Sequence, residues 1–297
     1  MKTSLDCLPC FVRQALETAR YATGDPAVHE HIVRTILRRV AEMDLVQSPP
    51  FIAQKIHRRL REITGVEDPY RPVKDRFNRL ALDLWPELVT RVENAPDPFQ
   101  MAVRLAIAGN VIDSGINGGL TETEVRRVVD QVISEPFVGE INEFRRAAAE
   151  AADILYLADN AGEIVFDRLL INRLGPARIT LAVRGGAVLN DATMSDARAA
   201  GLHEICEVVD NGSDAPGTIL SDCSREFRRR FQEAELVIAK GQGNYETLSD
   251  ESANVFFLFK VKCPVVASHV GLRTGTQILM KAPSANMVRG GDHHAGI

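Results

Sequence analysis

The sequence has no apolar run near the roughly 20 residues that a membrane-spanning helix needs, which excludes a helical integral membrane protein. It has no excess of positive charge either. Lys and Arg number 35 against 40 Asp and Glu, a net of −5, so no chain-wide attraction to nucleic acid is expected. Cysteine is sparse and odd in number, five in 297 residues, which fits a reducing cytoplasm rather than a disulfide scaffold. The opening residues carry an early Asp6 and Pro9 and lack the apolar centre of a secretory signal. A cytoplasmic location is therefore expected, with no membrane and no nucleic acid as partner. There is no Gly-x-Ser-x-Gly nucleophile elbow and no Gly-x4-Gly-Lys phosphate loop. The histidines form no pattern: His29 and His31 are two apart and do not share a helix face, and His57, His203 and His269 stand alone.

What is present is a long, ordinary globular composition, enough to bury one large core or two. Up to about residue 150 the apolar spacing is helical. Stretches Cys10–Arg20, Val28–Leu45, Phe51–Ile63, Val73–Val92, Phe99–Asn110, Val125–Ile133 and Glu143–Ala152 fit helices. Asp25-Pro26, Ser48-Pro49-Pro50, Pro96-Asp97-Pro98 and the capping box Thr121–Glu124 punctuate them. From residue 153 short β-branched runs alternate with amphipathic stretches, the mark of βαβ units. Strands are expected near 154–158, 179–183, 205–209, 236–239 and 264–267. Helices are expected near 162–174, 192–200, 217–233 and 246–260. The fold class is α/β, a Rossmann-like, mostly parallel sheet with an N-terminal all-helical domain. The domains are placed at 1–150 and 151–290, with a loose tail over 283–297.

Acids and amides stand where strands end. Asp159-Asn160-Ala161-Gly162-Glu163 follows the first strand, Asn190-Asp191 the second, and Lys240-Gly241-Gln242-Gly243-Asn244 the fourth. Open α/β sheets bind ligands beyond the carboxyl ends of their strands. Carboxylate and amide oxygens there suit a hard divalent cation, and neighbouring parallel strands lie close enough, about 5 Å, to share it. A lysine followed by two glycines lets backbone and ammonium approach a phosphate. Asp159, Asn160 and Asp191 are equally good helix caps when taken one at a time. Gly109-Asn110-Val111-Ile112-Asp113 ends an apolar helix, with Asn110 and Asp113 on one helix face. The Cys7-Leu8-Pro9-Cys10 pair has no second pair to complete a zinc site and follows no strand. Buried structural thiols are expected there, with Cys263 able to join only through the fold.

In order and spacing these motifs resemble the DUF89, or damage-control phosphatase (ARMT1-like), family. The resemblance covers nearly the whole chain and includes Asp68-Pro69-Tyr70 with Lys74 and Asn78, and Lys262-Cys263-Pro264. The Cys-x-x-Cys start resembles the stand-alone prokaryotic and archaeal branch. The resemblance implies a helical part packed on a Rossmann-like domain. It also implies a metal-dependent phosphatase of small phosphorylated metabolites using Mn²⁺, Co²⁺, Ni²⁺ or Mg²⁺. Carried over, Asp159, Asn160 and Asp191 match the metal-binding residues and Lys240 the lysine at the substrate phosphate. Asn110, Asp113 and Glu163 match further motif positions.

The expected reaction is phosphomonoester hydrolysis. Asp159 or Glu163 would orient water or attack directly, and Lys240, Gly241, Gly243 and Asn244 would hold the phosphate with Asn110 and Asp113. Two other readings compete. One is an S-adenosylmethionine-dependent carboxyl methyltransferase, disfavoured by a first loop with a single glycine and a second strand ending in Arg184-Gly185-Gly186. The other is a non-catalytic phosphometabolite-binding module, which has no need of paired acids. Substrate identity and oligomeric state are not encoded in any readable motif.

Overall fold

The breaks expected from sequence do start helices. In the computed structural model, which describes residues 1–109, 122–251 and 253–282, Asp25 accepts a bond from Ala27 N with Pro26 at the first helical position. Asp97 likewise accepts from Phe99 N and Gln100 N ahead of Pro98. Proline there has no N–H to waste and already holds the helical φ. The first five helices are α1 (Cys7–Ala22), α2 (Pro26–Ala41), α3 (Pro49–Thr64), α4 (Arg71–Glu93) and α5 (Pro98–Ala108), of which α2, α3 and α5 begin at the expected breaks. Next come α6 (Glu122–Ser134), a short strand β1 (Phe137–Gly139) and α7 (Ile141–Glu150). The capping box at Thr121 and the tail from 283 fall wholly or partly outside the described residues.

The second half alternates as expected at first. It runs β2 (Ile154–Leu157), α8 (Glu163–Leu174), β3 (Ile179–Val183), α9 (Met194–Ala199), β4 (Glu207–Asp210), α10 (Arg225–Glu233) and β5 (Leu236–Lys240). Then come α11 (Gly241–Leu248), β6 (Val255–Lys260), α12 (Pro264–Val270) and β7 (Gln277–Lys281). Three expectations fail here. The helix placed at 246–260 ends at Leu248, and Val255–Lys260 is a strand buried on both faces. A continuous apolar run has neither period, so only its length and its flanks separate strand from helix. The strand placed at 264–267 is instead α12: Cys263 is extended and Pro264 opens the helix. The helix placed at 217–233 begins only at Arg225, where Ser224 accepts from Phe227 N. Strands β1 and β7 are not anticipated at all.

The seven strands form one sheet in the order β1-β7-β6-β5-β2-β3-β4. All neighbours are parallel except β6 and β7. The chain leaves β2 toward β3 and β4, then returns to place β5 on the other side of β2. The connections after β2 and β5 therefore diverge, which opens a crevice at the carboxyl ends of these central strands.

Alternation along the strands sorts the core into two faces. Ile154, Tyr156, Leu236, Ile238, Phe256 and Leu258 face one cluster with residues of α4, α5, α7 and α8, so that core continues across residue 150. Leu155, Leu157, Val237, Ala239, Phe257 and Phe259 face the other, under α10, α11 and α12. Helices α1–α3 keep a core of their own around Phe11, Ile32, Ile36 and Ile56. They dock beside the carboxyl ends of the sheet by polar contacts. Gln54 Nε2 donates to Asp214 and Asp222 at 2.7 and 2.6 Å, and Arg61 Nη1 donates to Ala187 O at 2.7 Å. No described helix is long and apolar enough to cross a membrane.

Candidate active site

The loop after β2 and the loop after β3 are zipped together by their backbones. Ala161 N donates to Asn190 O at 2.9 Å, Ala192 N to Asp159 O at 2.8 Å, and Asn160 and Asp191 form an isolated bridge. This pairing brings the two acid-amide motifs to one point. All four side chains, Asp159, Asn160, Asn190 and Asp191, are buried. Leu189, just before the second motif, sits at φ +47°, a conformation that costs a non-glycine residue energy and often marks functional loops.

Local packing explains why the first loop takes its shape. Gly162 has φ +77°, and a Cβ there would lie 2.9 Å from Phe77 Cβ. Its N–H donates to Asn78 Oδ1 at 2.7 Å, so α4 holds the loop that starts α8. Asn78 in turn donates to Asp196, which also pairs with the fully buried Lys74 at 3.0 Å. The Asp68–Asn78 motif thus braces the loop from beneath.

Two carboxylates and an amide then interlock. Asn160 Nδ2 donates to Asp159 Oδ2 at 2.7 Å and to Glu163 Oε2 at 2.9 Å. Glu163 opens α8, where the positive end of the helix favours it. Burial, with Glu163 and Asp191 nearby, pushes the Asp159 carboxyl well above its usual range, while Lys262 and Arg184 pull the other way.

Lys240 is not where the sequence places it. Along β5 residues 236, 238 and 240 share a face, and that face looks into the core beneath α5 and α8. The ammonium donates to Ala106 O at 2.7 Å, Glu163 Oε1 at 2.7 Å and Asp167 Oδ1 at 2.6 Å. Its three donors are thereby committed inside the protein. Burial opposes the charge, but Asp167 and Glu163 hold the ammonium above its ordinary pKa. Burial also lifts Asp167 to about 6 against the pull of Lys240, and Tyr156 O–H donates to the same Asp167 oxygen at 2.7 Å.

Gly241 follows at φ +80°, and a Cβ there would overlap the Asp159 carboxylate. Glycine is required both by the backbone and by this close approach. Gly243 packs against Pro216 O in the same way. Asn244 is a staple: its amide donates to Lys240 O at 2.7 Å, and its oxygen accepts from Thr218 Oγ1 at 2.8 Å. Asn110 and Asp113 lie outside the described residues. Gly109, which precedes them, ends α5 where a Cβ would be 3.1 Å from Glu163 Cα.

Sequence reasoning misses three residues here. Arg184, at the end of β3 and 2% exposed, donates from Nε to Asp191 Oδ2 at 2.7 Å and reaches within 3.8 Å of Asp159 Oδ1. Its Nη2 has no hydrogen-bond partner among the described residues. The position after a strand was visible in sequence, but arginine there read only as the absence of an acid. Asp167, one turn into α8, carries no motif signal. Lys262 is exposed after β6, and its charge reaches Asp159.

The donors that meet at this point are hard oxygens: the Asp159 and Asp191 carboxylates and the Asn160 amide. They hold two carboxylates, so among the described residues no group of three acidic, thiol or imidazole side chains forms a metal cluster. The donor chemistry still fits a hard divalent cation. Four buried carboxylates, Asp159, Glu163, Asp167 and Asp191, stand against two buried cations, Arg184 and Lys240. A cavity of about 480 Å³ elsewhere, lined by Asp153, Arg178, His203 and Glu204, opens at the amino ends of β2, β3 and β4. It gathers no comparable buried cluster and sits at the wrong end of a parallel sheet for a substrate.

Comparison with known proteins decides the family. The profile of the Damage-control phosphatase ARMT1-like domain matches residues 3–278. The chain belongs to the damage-control phosphatase ARMT1-like (DUF89) family. A damage-control phosphatase of Archaeoglobus fulgidus is 37% identical over 287 residues, spanning 94% of this chain and 98% of the relative. One from Pyrococcus horikoshii is 31% identical, spanning 95% and 98%. A crystal structure of a DUF89 family protein from Pyrococcus horikoshii superposes with a TM-score of 0.87 at 30% identity, covering 95% of this chain and all of that one. The α/β fold expected from sequence is thus the DUF89 fold.

Proposed function

We propose that this DUF89 protein hydrolyses phosphomonoesters of small metabolites at a divalent cation held by Asp159, Asn160 and Asp191. The observation that carries the proposal is the zipping of the two loops, which points both acids at Arg184. Two relatives over nearly the full length bear the name damage-control phosphatase, and the family suggests a divalent metal. When bound, such an ion neutralises charge on the transferring phosphoryl group. Mn²⁺, Co²⁺, Ni²⁺ and Mg²⁺ all suit oxygen donors.

The protein's own groups divide the remaining work. Asp159 is the carboxylate that fills the space left by the absent side chain of Gly241, and it orients water or attacks phosphorus itself. Glu163 is fixed by Lys240 and Asn160 and keeps the Asn160 amide in place. Arg184 Nη2 donates to a phosphoryl oxygen, and the backbone at Gly241 and Gly243 with exposed Lys262 completes the electrostatic cradle. Lys240 acts at one remove: it holds Glu163 and Asp167 and reaches the phosphate only if it releases one of them. Asn244 positions Arg184 by accepting a bond from its Nη1 at 3.2 Å. The chain acts on a small phosphorylated metabolite in the cytoplasm in this reading. A non-catalytic binding module would have no use for so many buried acids, and a methyl donor none for two acids beside an arginine.

The test is Asp191→Asn, assayed with p-nitrophenyl phosphate and by calorimetric titration with Mn²⁺. Loss of one carboxylate ligand lowers Mn²⁺ affinity and metal-dependent turnover by on the order of 100-fold or more, with the fold intact by circular dichroism. Undiminished turnover and Mn²⁺ affinity would remove Asp191 from the site.

A further inference from the structure

The Cys7-Leu8-Pro9-Cys10 motif plays no part in the hydrolytic site, and the structure does not bury it as structural thiols. Cys10 is exposed, whereas Cys7 and Cys263 are partly buried. The N-terminal ammonium donates to Glu246 O at 2.9 Å, pinning the start of the chain onto α11. Cys7 packs against the core of α1–α3 and lies close enough to Cys10, Cys263 and Glu246 for their charges to act on it.

We propose that Cys7 and Cys10 form a thiol–disulfide exchange site that reduces small-molecule disulfides and closes to an intramolecular disulfide. The geometry rests on the helix. Both residues lie in the first turn of α1, at its first and fourth positions. Residues three apart on a helix have Cα atoms about 5 Å apart, inside the range a disulfide spans. Pro9 between them needs no hydrogen bond in the first turn. Cys263 is a poorer partner because its sulfur accepts from Gln242 Nε2 at 3.6 Å. A soft metal is not favoured, since no three acidic, thiol or imidazole groups form a ligand set among the described residues.

The two thiols differ as an exchange pair must. Cys10 faces solvent, and Arg13 Nη2 donates to its sulfur at 3.1 Å, a cation beside the sulfur that carries charge during attack. Cys7 is withdrawn: burial raises its thiol, opposed by the backbone bond from Ser4. Cys10 attacks a disulfide R–S–S–R, forming a Cys10–S–S–R bond and releasing the first thiolate. Cys7 then attacks the Cys10 sulfur, forming the Cys7–Cys10 bond and releasing the second. Two electrons pass from the protein thiols to the small disulfide, and the two protons leave on the released thiols.

The experiment incubates the full chain with glutathione disulfide, blocks free thiols and maps tryptic peptides. The readout is independent of phosphatase activity. Both cysteines fall in one peptide, residues 3–13. In the wild type that peptide loses two hydrogens, resists alkylation and regains it after dithiothreitol. Cys7→Ser accumulates a stable glutathione adduct on Cys10, and in Cys10→Ser the Cys7 thiol stays free. Melting curves of both variants serve as the folding control. A wild-type adduct that stays on Cys10, a cross-link from Cys7 to Cys263, or unreactive thiols on protein that carries stoichiometric zinc or iron would each overturn the proposal. So would no reaction at all.

Discussion

Replacing Lys240 by methionine removes an ammonium ion whose three hydrogen bonds, at 2.6 to 2.7 Å, all end inside the protein. Methionine fills the volume but leaves Glu163 and Asp167 facing each other without a cation. Both are buried, at 1% and 0% exposure. Breaking a buried ion pair from one side costs about 3–5 kcal/mol, a large fraction of the stability of an ordinary domain. At this chain length that is a fall in Tm of roughly 6–12 °C. Were Lys240 a solvent-facing grip on phosphate, its loss would cost under about 1 kcal/mol. Urea and thermal unfolding of the metal-free protein separate the two cases. The pH dependence adds a second check. Asp167 already titrates near 6 in the folded protein, lifted by burial, and losing Lys240 lifts it further. A raised carboxyl binds its proton more tightly in the folded chain than in the unfolded one. Its stabilising contribution is present below about pH 4 and is lost as pH rises through the folded value. The deficit of Lys240→Met is therefore smallest in acid and grows from pH 5 to 8. Adding Glu163→Gln and Asp167→Asn to the variant restores at least half of the loss, because the penalty belongs to the unpaired charges. A single variant as stable as wild type at every pH would refute the buried-triad reasoning.

Gly241→Ala forces a left-handed residue to carry a Cβ that overlaps Asp159. We expect a loss of about 1–2 kcal/mol in unfolding free energy and a fall in turnover of on the order of 100-fold. Wild-type kinetics in that variant would show that Asp159 is free to move. Glu246, lifted to about 7 by burial despite Gln242, the N-terminal ammonium and Lys262, destabilises the fold once it ionises. The contribution of its bound proton is complete below about pH 4.5 and disappears as pH rises through 7. Glu246→Gln should match wild type in urea midpoint at pH 5 and exceed it at pH 8, by up to about 3 kcal/mol. Parallel pH profiles for the two proteins would contradict this.

Much of the fold was legible in residues whose chemistry is local. Asp25-Pro26 and Asp97-Pro98 start helices wherever they stand, and the runs ending at Ala158 and Ala239 stop at the polar residues that follow. The apolar run Val255–Phe259 was not legible, because a strand covered on both faces loses the alternation that identifies strands. Pro264 misled in the other direction, since three apolar residues after a proline suit a strand edge as well as a helix start. In the site, the acid-amide pairs announced themselves by lying after strands. Arg184 did not, since nothing in a lone Arg-Gly-Gly reveals that its guanidinium turns inward between two acids.

The sequence by itself determined where most of the N-terminal helices and the strands β2, β3 and β5 lie, which family the motifs resemble and which oxygens stand at strand ends, because propensity, capping and apolar period are properties of neighbouring residues. Only the tertiary structure decided where the charges go. The parity of β5 turns Lys240 down into the core, the crossover from β4 to β5 sets β2 between its partners, and the tertiary fold brings Cys263 near Cys7, more than 250 positions away. Those outcomes depend on which face of a strand meets which helix, and that is fixed by packing across the whole chain rather than by any one segment of it.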